Sequence, residues 1–165
     1  MPLQGIFFDA GNTLLVEEPG KHMWEMALIR IPDALEVLTA LKAHYRLGVI
    51  SNTVGSGDAD LSEVLEKAGI RRLIDALVTS RDFGKAKPDP AIYAEGARRL
   101  GVSLEQTLMV GDRLDTDVAG ALNAGIPAIW LRHPGAIEIP GIAPTHVIER
   151  LAELPAWIAA TYTQN

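Results

Sequence analysis

The sequence has no cysteine, few aromatic residues and no long apolar run. Without cysteine the chain forms no disulfide and has no thiolate nucleophile or metal ligand, a composition that suits a reducing cytoplasm. Aromatic residues make up 5% of the chain, so aliphatic side chains must fill most of the core. No stretch reaches the roughly 18 apolar residues of a membrane-spanning helix. The first residues lack a basic region before an apolar stretch, so we expect no signal peptide and a cytoplasmic location.

Positive charge is also scarce. The chain has 15 Lys and Arg against 21 Asp and Glu, for a net charge of −6. No cluster of basic residues forms a stripe, and we therefore expect neither nucleic acid nor an acidic membrane as a partner. The 165 residues are 48% hydrophobic and 22% charged. These values predict one globular domain over residues 1–165.

Short apolar runs alternate with segments of helical period, which predicts an α/β fold with a mainly parallel sheet. Strands are predicted at residues 5–8, 46–50, 76–79, 108–110 and 128–131, with an edge strand at 146–148. Helices are predicted at residues 32–44, 60–68, 88–100, 116–124 and 151–160. The sequence "SLEQ" at 103–106 has a capping-box pattern that predicts a single helical turn. Residues 133–145 are predicted to be a loop.

Polar residues follow several of these strands directly. Asp9 follows the first strand, Ser51 and Asn52 the second, and Asp112 the fourth, while Lys87 lies in the loop after the third. The carboxyl ends of parallel strands converge on one crevice, where ligands bind in open sheets. Acids, a hydroxyl, an amide and a cation at one edge suit a divalent metal together with a phosphate.

In "GIFFDAGNTLL", an acid after a strand is either a turn residue or a nucleophile. The small residues after Asp9 would supply backbone N–H groups for a developing charge, and Thr13 would place a hydroxyl beside it as a further phosphate-binding group. Ser51, in "VISNT", is either a cap or a phosphate ligand assisted by Asn52. Lys87, in "KAKPDPAIY", is either a solvated charge or a cation aimed at a phosphate, and the adjacent proline favours it over Lys85.

The stretch "VGDRLDTD" carries three acids within six residues, Asp112, Asp115 and Asp117. Their repulsion needs either a helix N-terminus or a bound cation to offset it. A helix N-terminus accounts for Asp115. Asp112, at the end of a strand, is the better metal ligand, and oxygen ligands suit Mg²⁺.

Four segments in this order, "FFDAGNTL", "GVISNT", "KPDPAIY" and "MVGDRLDTDVAGALNAGI", resemble the haloacid dehalogenase-like (HAD) hydrolase superfamily. The resemblance covers essentially the whole chain, and the last segment is the most specific. It implies a Rossmann-like three-layer α/β/α sandwich. It also implies phosphoryl transfer, with Asp9 as the nucleophile that forms an aspartyl-phosphate. Ser51 and Lys87 would then bind and neutralise the phosphoryl group of a small phosphorylated substrate.

The resemblance also implies a Mg²⁺ site. The side chains of Asp9 and Asp112 and the main-chain carbonyl of Gly11 would hold the ion. Asp117 would support it through water or hydrogen bonds. The cation would let an anionic carboxylate approach an anionic phosphate.

One departure from the family pattern is Gly11. Phosphatases of this family usually carry a second aspartate there, which protonates the leaving group and then activates water. Such a group contributes about 10²–10⁴-fold to the rate. The first hypothesis is therefore a Mg²⁺-dependent phosphatase that is slow. The alternatives are a nearly inert protein that binds phosphate, metal or a protein partner, and a 2-haloacid dehalogenase, ranked lower because no supporting cap residues are found.

The second departure is the missing cap domain. Residues 14–31 are too few for the helical bundle that many relatives insert at this point, so we expect a short linker or helix instead. Such an open site accepts a large substrate or is covered by a neighbouring subunit. Trp24, Leu28 and Ile31 have helical spacing: they either pack on the chain's own core or form an apolar patch for a homo-oligomer contact.

Overall fold

The computed structural model describes residues 2–22, 25–26 and 28–162. In this part of the chain, one sheet is built from six strands, β1 (Gly5–Phe8), β2 (Arg46–Ser51), β3 (Ala76–Thr79), β4 (Thr107–Gly111), β5 (Ala128–Leu131) and β6 (His146–Ile148). The α-helices are α1 (Ala34–Lys42), α2 (Asp58–Lys67), α3 (Ser80–Phe83), α4 (Ala91–Leu100), α5 (Ala119–Asn123) and α6 (Leu154–Tyr162). No helix of the described residues is long and apolar enough to cross a bilayer.

The strands are ordered β3-β2-β1-β4-β5-β6, and each neighbouring pair is parallel. The chain runs from β1 outward to β3, returns to the other side of β1 at β4, and then runs outward to β6. This reversal places a crevice at the carboxyl ends of β1 and β4, where ligands bind in doubly wound sheets. The predicted Rossmann-like fold with a parallel sheet is confirmed.

Helices cover both faces of the sheet because its strands alternate their side chains between two cores. Ile6 and Phe8 of β1 face a core that includes residues of α1, α2 and α6. Phe7 points the other way, into a core that includes residues of α4 and α5. Most buried side chains in both cores are aliphatic, as the low aromatic content predicts.

Four of the five predicted helices become α-helical later than expected, at Ala34, Ala91, Ala119 and Leu154. The helix predicted from residue 88 begins at Ala91, because Asp89 precedes Pro90 and a residue before proline disfavours helical geometry. Asp89 instead accepts a hydrogen bond from the Ala91 N–H at 2.9 Å. The helix predicted at 116–124 starts as a π-helical turn, Leu114–Val118, and becomes α-helical only at Ala119.

Two further details of the local prediction are wrong. Helix α3 was not predicted, because its four residues are too few to show a period. The turn at 103–106 is present as a 3₁₀-helix, but the capping box is not. The Ser103 hydroxyl donates to the Glu105 carboxylate at 3.1 Å instead of accepting from the helix.

The segment that replaces a cap contains no α-helix or strand among its described residues, so the absence of a substantial cap is confirmed. Leu28 and Ile31 are partly buried and pack against the core that α1 lines, which favours the first of the two predicted roles. Trp24 lies outside the described residues. Ile29, which lies between Leu28 and Ile31 in the chain, is 58% exposed.

We predict that Gly96→Val lowers the free energy of unfolding by about 1–3 kcal/mol, as overpacked cores do. A Cβ at Gly96 would lie 2.9 Å from the Phe7 ring and 3.1 Å from Ile50, so the helix could not approach the sheet as closely. Urea unfolding measures the change. Ala94→Val, on the exposed side of the same helix, controls for the cost of a β-branched residue. Phe7→Leu combined with Gly96→Val should recover part of the loss, and strictly additive effects would contradict the contact.

Candidate active site

Lys87 lies at the centre of the predicted site. Its ammonium is 2.9 Å from Asp9 Oδ1, 2.6 Å from Asp117 Oδ1 and 2.8 Å from the carbonyl oxygen of Ile50. The lysine side chain is 1% exposed, that of Asp117 is 1% exposed and that of Asp9 is 13% exposed. One buried cation therefore joins the end of β1 to the loop after β4.

Asn52 holds the Lys87 backbone in place. Its side-chain amide donates to the Lys87 carbonyl at 2.9 Å, and its Oδ1 accepts from the Lys87 N–H at 2.8 Å. Asn52 follows β2, so this clamp fixes the lysine loop to the sheet. Its predicted phosphate contact stays a prediction, but both of its polar atoms already have partners on Lys87.

Asp112 is held from two sides. The Thr13 hydroxyl donates to Asp112 Oδ1 at 3.3 Å, and the indole N–H of Trp130 donates to the Asp112 carbonyl at 2.9 Å. Thr13 is fully buried, so it supports the second carboxylate of the site. Its predicted role as a phosphate ligand stays a prediction.

Asp117 depends on the absence of a side chain at Gly111. A Cβ on Gly111 would lie 2.3 Å from the Asp117 carboxyl carbon, so any other residue there would displace the carboxylate. The second oxygen of Asp117 accepts from the Arg113 N–H at 3.0 Å, and the Tyr93 hydroxyl donates to the Asp117 carbonyl at 3.0 Å. Both carboxylate oxygens thus have donors.

Burial dominates the electrostatics of these groups. It raises the pKa of Asp9 from 3.8 to about 6, with Lys87 opposing the rise and Asp112 adding to it. Burial raises the pKa of Asp117 to about 6 as well, and raises the pKa of Asp112. Burial alone would lower the pKa of Lys87, but the adjacent carboxylates outweigh it and the net pKa is raised. At neutral pH the site therefore holds more negative than positive charge.

A cavity of about 350 Å³ opens onto these groups. Asp9, Ser51, Lys87, Asp112 and Asp117 line its polar part, so the structure brings these predicted site residues together, whereas Thr13 does not line the cavity. Gly11 and Asn52 line it too. Leu15, Val16 and Met26 also line it and give it an apolar part.

Oxygen atoms of Asp9, Asp112 and Asp117 lie within 4.8 Å of one another, close enough to share a metal ion. Mg²⁺ is usually held by one or two carboxylates together with waters and substrate phosphate. Asp9 and Asp112 fit that requirement. Asp117 fits a supporting role, because its two oxygens already accept from Lys87 and from the Arg113 backbone.

Two residues near the site in sequence lie apart from it in space. Lys85 is exposed and lies 3.9 Å from Asp89. Asp115 is exposed and bonds Arg113 at 2.8 Å. Neither lines the cavity. Glu17 also lines the cavity and was not predicted, because nothing in the linear sequence relates Glu17 to Gly11.

Comparison with protein-family models matches residues 13–131 to the haloacid dehalogenase-like hydrolase family. The chain belongs to the haloacid dehalogenase-like hydrolase family. The match begins at Thr13, after Asp9, and ends at Leu131, the last residue of β5.

Individual relatives within this hydrolase family include phosphatases. The chain is 35% identical to a pyrimidine 5'-nucleotidase from Escherichia coli over 162 residues, covering 93% of this chain and 70% of that protein. It is 40% identical to a glyceraldehyde 3-phosphate phosphatase from Methanothermobacter thermautotrophicus over 110 residues, covering 66% of this chain and 47% of that protein. The chain therefore spans between about half and about two thirds of these relatives.

The fold of this hydrolase is also seen in solved structures. A protein of unassigned function from Listeria monocytogenes superposes with a TM-score of 0.82 at 28% identity, over 96% of this chain and 98% of that chain. A likeness over this length covers the whole sheet and both helical layers.

We predict that Lys87→Met lowers the free energy of unfolding by about 3–5 kcal/mol at pH 8, because Asp9 and Asp117 are left buried without a counter-charge. Both carboxyls have a pKa near 6 in the folded protein against 3.8 ordinarily, so proton binding favours the folded state. Their contribution to stability falls as pH rises from about 3.8 to about 6. The loss in Lys87→Met is therefore smaller at pH 5 than at pH 8.

Denaturant unfolding of the metal-free protein at both pH values measures this difference. The exposed Lys85→Met is the matched control and is expected to change stability by no more than about 0.5 kcal/mol. Equal losses for Lys87→Met at pH 5 and pH 8 would contradict the buried ion pair.

Proposed function

We propose that the protein is a Mg²⁺-dependent phosphatase that hydrolyses a small phosphorylated metabolite through an aspartyl-phosphate on Asp9. The observation that carries the proposal is the contact of the buried Lys87 ammonium with Asp9, in a cavity that Asp112 and Ser51 also line. Phosphoryl transfer needs positioning and charge neutralisation more than elaborate covalent chemistry. A fixed carboxylate beside a fixed cation supplies both.

In the proposed reaction, a carboxylate oxygen of Asp9 attacks phosphorus and the bond to the leaving oxygen breaks. Lys87 offsets the charge of the phosphoryl oxygens, and the Ser51 hydroxyl donates a hydrogen bond to one of them. Water then attacks phosphorus, the bond to Asp9 breaks, and inorganic phosphate leaves. Asn52 keeps Lys87 in place throughout, since it holds the backbone on both sides of that residue.

The residues that would hold Mg²⁺ are Asp9, Asp112 and the carbonyl of Gly11, with Asp117 in support. When bound, the ion would supply positive charge that lets the phosphate approach Asp9. The excess of carboxylates over cations at neutral pH supports this assignment. Lys87 alone neutralises only one of the three carboxylates, those of Asp9, Asp112 and Asp117.

The relatives support a phosphorylated small molecule as substrate. The nucleotidase and the glyceraldehyde 3-phosphate phosphatase both act, by name, on phosphate monoesters of small metabolites. The apolar part formed by Leu15, Val16 and Met26 offers contact for an uncharged part of the leaving group. The cavity has room for such a group beside the phosphate.

Gly11 favours a second candidate, a protein of this fold that binds phosphate or metal and turns over little. An acid at that position would normally donate and accept the proton of the reaction. The two candidates differ in one measurable property, which is hydrolysis that depends on Asp9.

We predict that the protein releases inorganic phosphate from phosphate monoesters only with Mg²⁺, and that Asp9→Asn abolishes this release. The amide removes the nucleophile while keeping its shape. A phosphate assay on a panel of sugar phosphates and nucleotides checks the result. Asp33→Asn, an exposed change remote from the cavity at a left-handed position that asparagine tolerates, is the matched control.

Phosphate release that survives Asp9→Asn would contradict the proposed mechanism. Absence of release from every substrate would favour the second candidate. Halide release from short 2-haloacids, in the same preparation, would instead identify a dehalogenase.

We further predict that Asp112→Asn raises the Mg²⁺ concentration needed for half-maximal activity at least tenfold, since losing a charged ligand typically costs on the order of 1.4 kcal/mol or more in affinity. Titration of activity with Mg²⁺ measures the shift. Asp115→Asn, an exposed aspartate three residues away that does not line the cavity, should leave the titration unchanged. Identical titrations for Asp112→Asn and wild type would remove Asp112 from the metal site.

A further inference from the structure

Glu17 lies beside the glycine that replaces the usual acid. A Cβ added to Gly11 would lie 3.0 Å from Glu17 Oε2 and 3.4 Å from its carboxyl carbon. Both residues line the same cavity as Asp9. The space next to Gly11, which the side chain of an aspartate at that position would enter, therefore already contains a carboxylate.

Asn12 holds Glu17 in this position. Its Oδ1 accepts from the Glu17 N–H at 3.0 Å, and its Nδ2 donates to Glu17 Oε2 at 3.3 Å. The Asn12 backbone is itself fixed: its N–H donates to the Leu15 carbonyl at 2.6 Å, and its carbonyl lies 2.5 Å from His133 Nε2. The carboxylate of Glu17 is thus placed by the nucleophile loop.

Glu17 differs from the other acids that line the cavity. Asp117 is buried and bonded to Lys87, while Asp9 and Asp112 belong with it to the cluster that suits a metal. Glu17 is not a member of that cluster, and it forms no ion pair with any residue that the structure describes. It is also exposed, so a proton can pass between its carboxyl and water.

We propose that Glu17 is the general acid and base of the phosphatase reaction, in the place that an aspartate at position 11 would take. This inference rests on the proposed function. It changes one expectation drawn from Gly11: the acid/base group is displaced along the chain and is not lost. It also gives a role to a cavity-lining carboxylate that forms no ion pair with any residue the structure describes.

The proton transfers balance over the two steps. In the first, Asp9 attacks phosphorus, the bond to the leaving oxygen breaks, and protonated Glu17 gives its proton to that oxygen to release an alcohol. In the second, ionised Glu17 takes a proton from water as the water oxygen attacks phosphorus. The bond to Asp9 breaks, phosphate leaves, and Glu17 is protonated again.

The test compares two substrates with the Mg²⁺-loaded protein. A primary alkyl phosphate needs its leaving oxygen protonated, whereas p-nitrophenyl phosphate releases a stable phenolate. We expect Glu17→Gln to lower kcat/KM for the alkyl phosphate by about 10²-fold or more, and to lower it far less for the aryl phosphate. The value of kcat/KM is used because it reports transition-state stabilisation from free enzyme and substrate.

Glu18→Gln is the matched control. Glu18 is the next residue along the chain, pairs with Lys21 at 3.0 Å and does not line the cavity. It should leave kcat/KM for both substrates unchanged. If Glu17→Gln changes both substrates by the same factor, the inference is wrong, and Glu17 only closes a turn with Asn12.

A second variant tests the shared position directly. Glu17→Ala should show the same selective loss, and adding Gly11→Asp to it should restore hydrolysis of the alkyl phosphate. The alanine removes the carboxylate that would lie 3.0 Å from the new Cβ, so the aspartate has room. If Glu17→Ala loses hydrolysis of the alkyl phosphate and Gly11→Asp does not restore it, the two carboxylates do not act at the same place in the site.

The failure of this inference is distinguishable from failure of the proposed function. If wild type releases no phosphate in an Asp9-dependent manner, the phosphatase proposal itself fails. If wild type does so and Glu17→Gln matches Glu18→Gln on both substrates, only the role of Glu17 fails.

Discussion

The buried ammonium of Lys87, shared between Asp9 and Asp117, is the interaction on which the arrangement of the site depends. Two carboxylates this deeply buried repel each other and lose hydration, and one cation between them offsets part of both costs. Breaking such a pair leaves a buried charge, so loss of the lysine would destabilise the fold. The loops after β1, β3 and β4 all meet at this point.

The sheet makes that meeting possible. β1 lies between β2 and β4 in matched parallel register, with Phe8 opposite Val49 and Val110. Asp9, Ser51 and Asp112 therefore emerge at nearly the same level. Gly111 then lets the Asp117 carboxylate approach the strand end, which no side chain at that position would allow. The parallel register thus places the polar side chains at the strand ends, and the missing side chain of Gly111 leaves space for the Asp117 carboxylate.

Gly11 leaves a space in the lining of the cavity that the side chain of another residue occupies. Ala10 and Gly11, which follow Asp9, line the cavity. Gly11 removes a side chain from that lining, and Glu17 fills the adjacent space. The Glu17 carboxylate, on the turn that follows, occupies the space that a side chain at position 11 would enter.

The sequence alone determined the family, the parallel sheet and the placement of Asp9, Ser51 and Asp112 at one edge, because these follow from local periodicity and from the rule that parallel strands end together. It also indicated Lys87 over Lys85. Tertiary structure decided the rest. The π-helical turn before Ala119 is not visible in the helical period of the sequence. The clamp of Asn52 on Lys87, the support of Asp112 by Thr13 and the approach of Glu17 to Gly11 join residues through loops. Their contacts depend on how those loops close in space, which the spacing of residues along the chain does not specify.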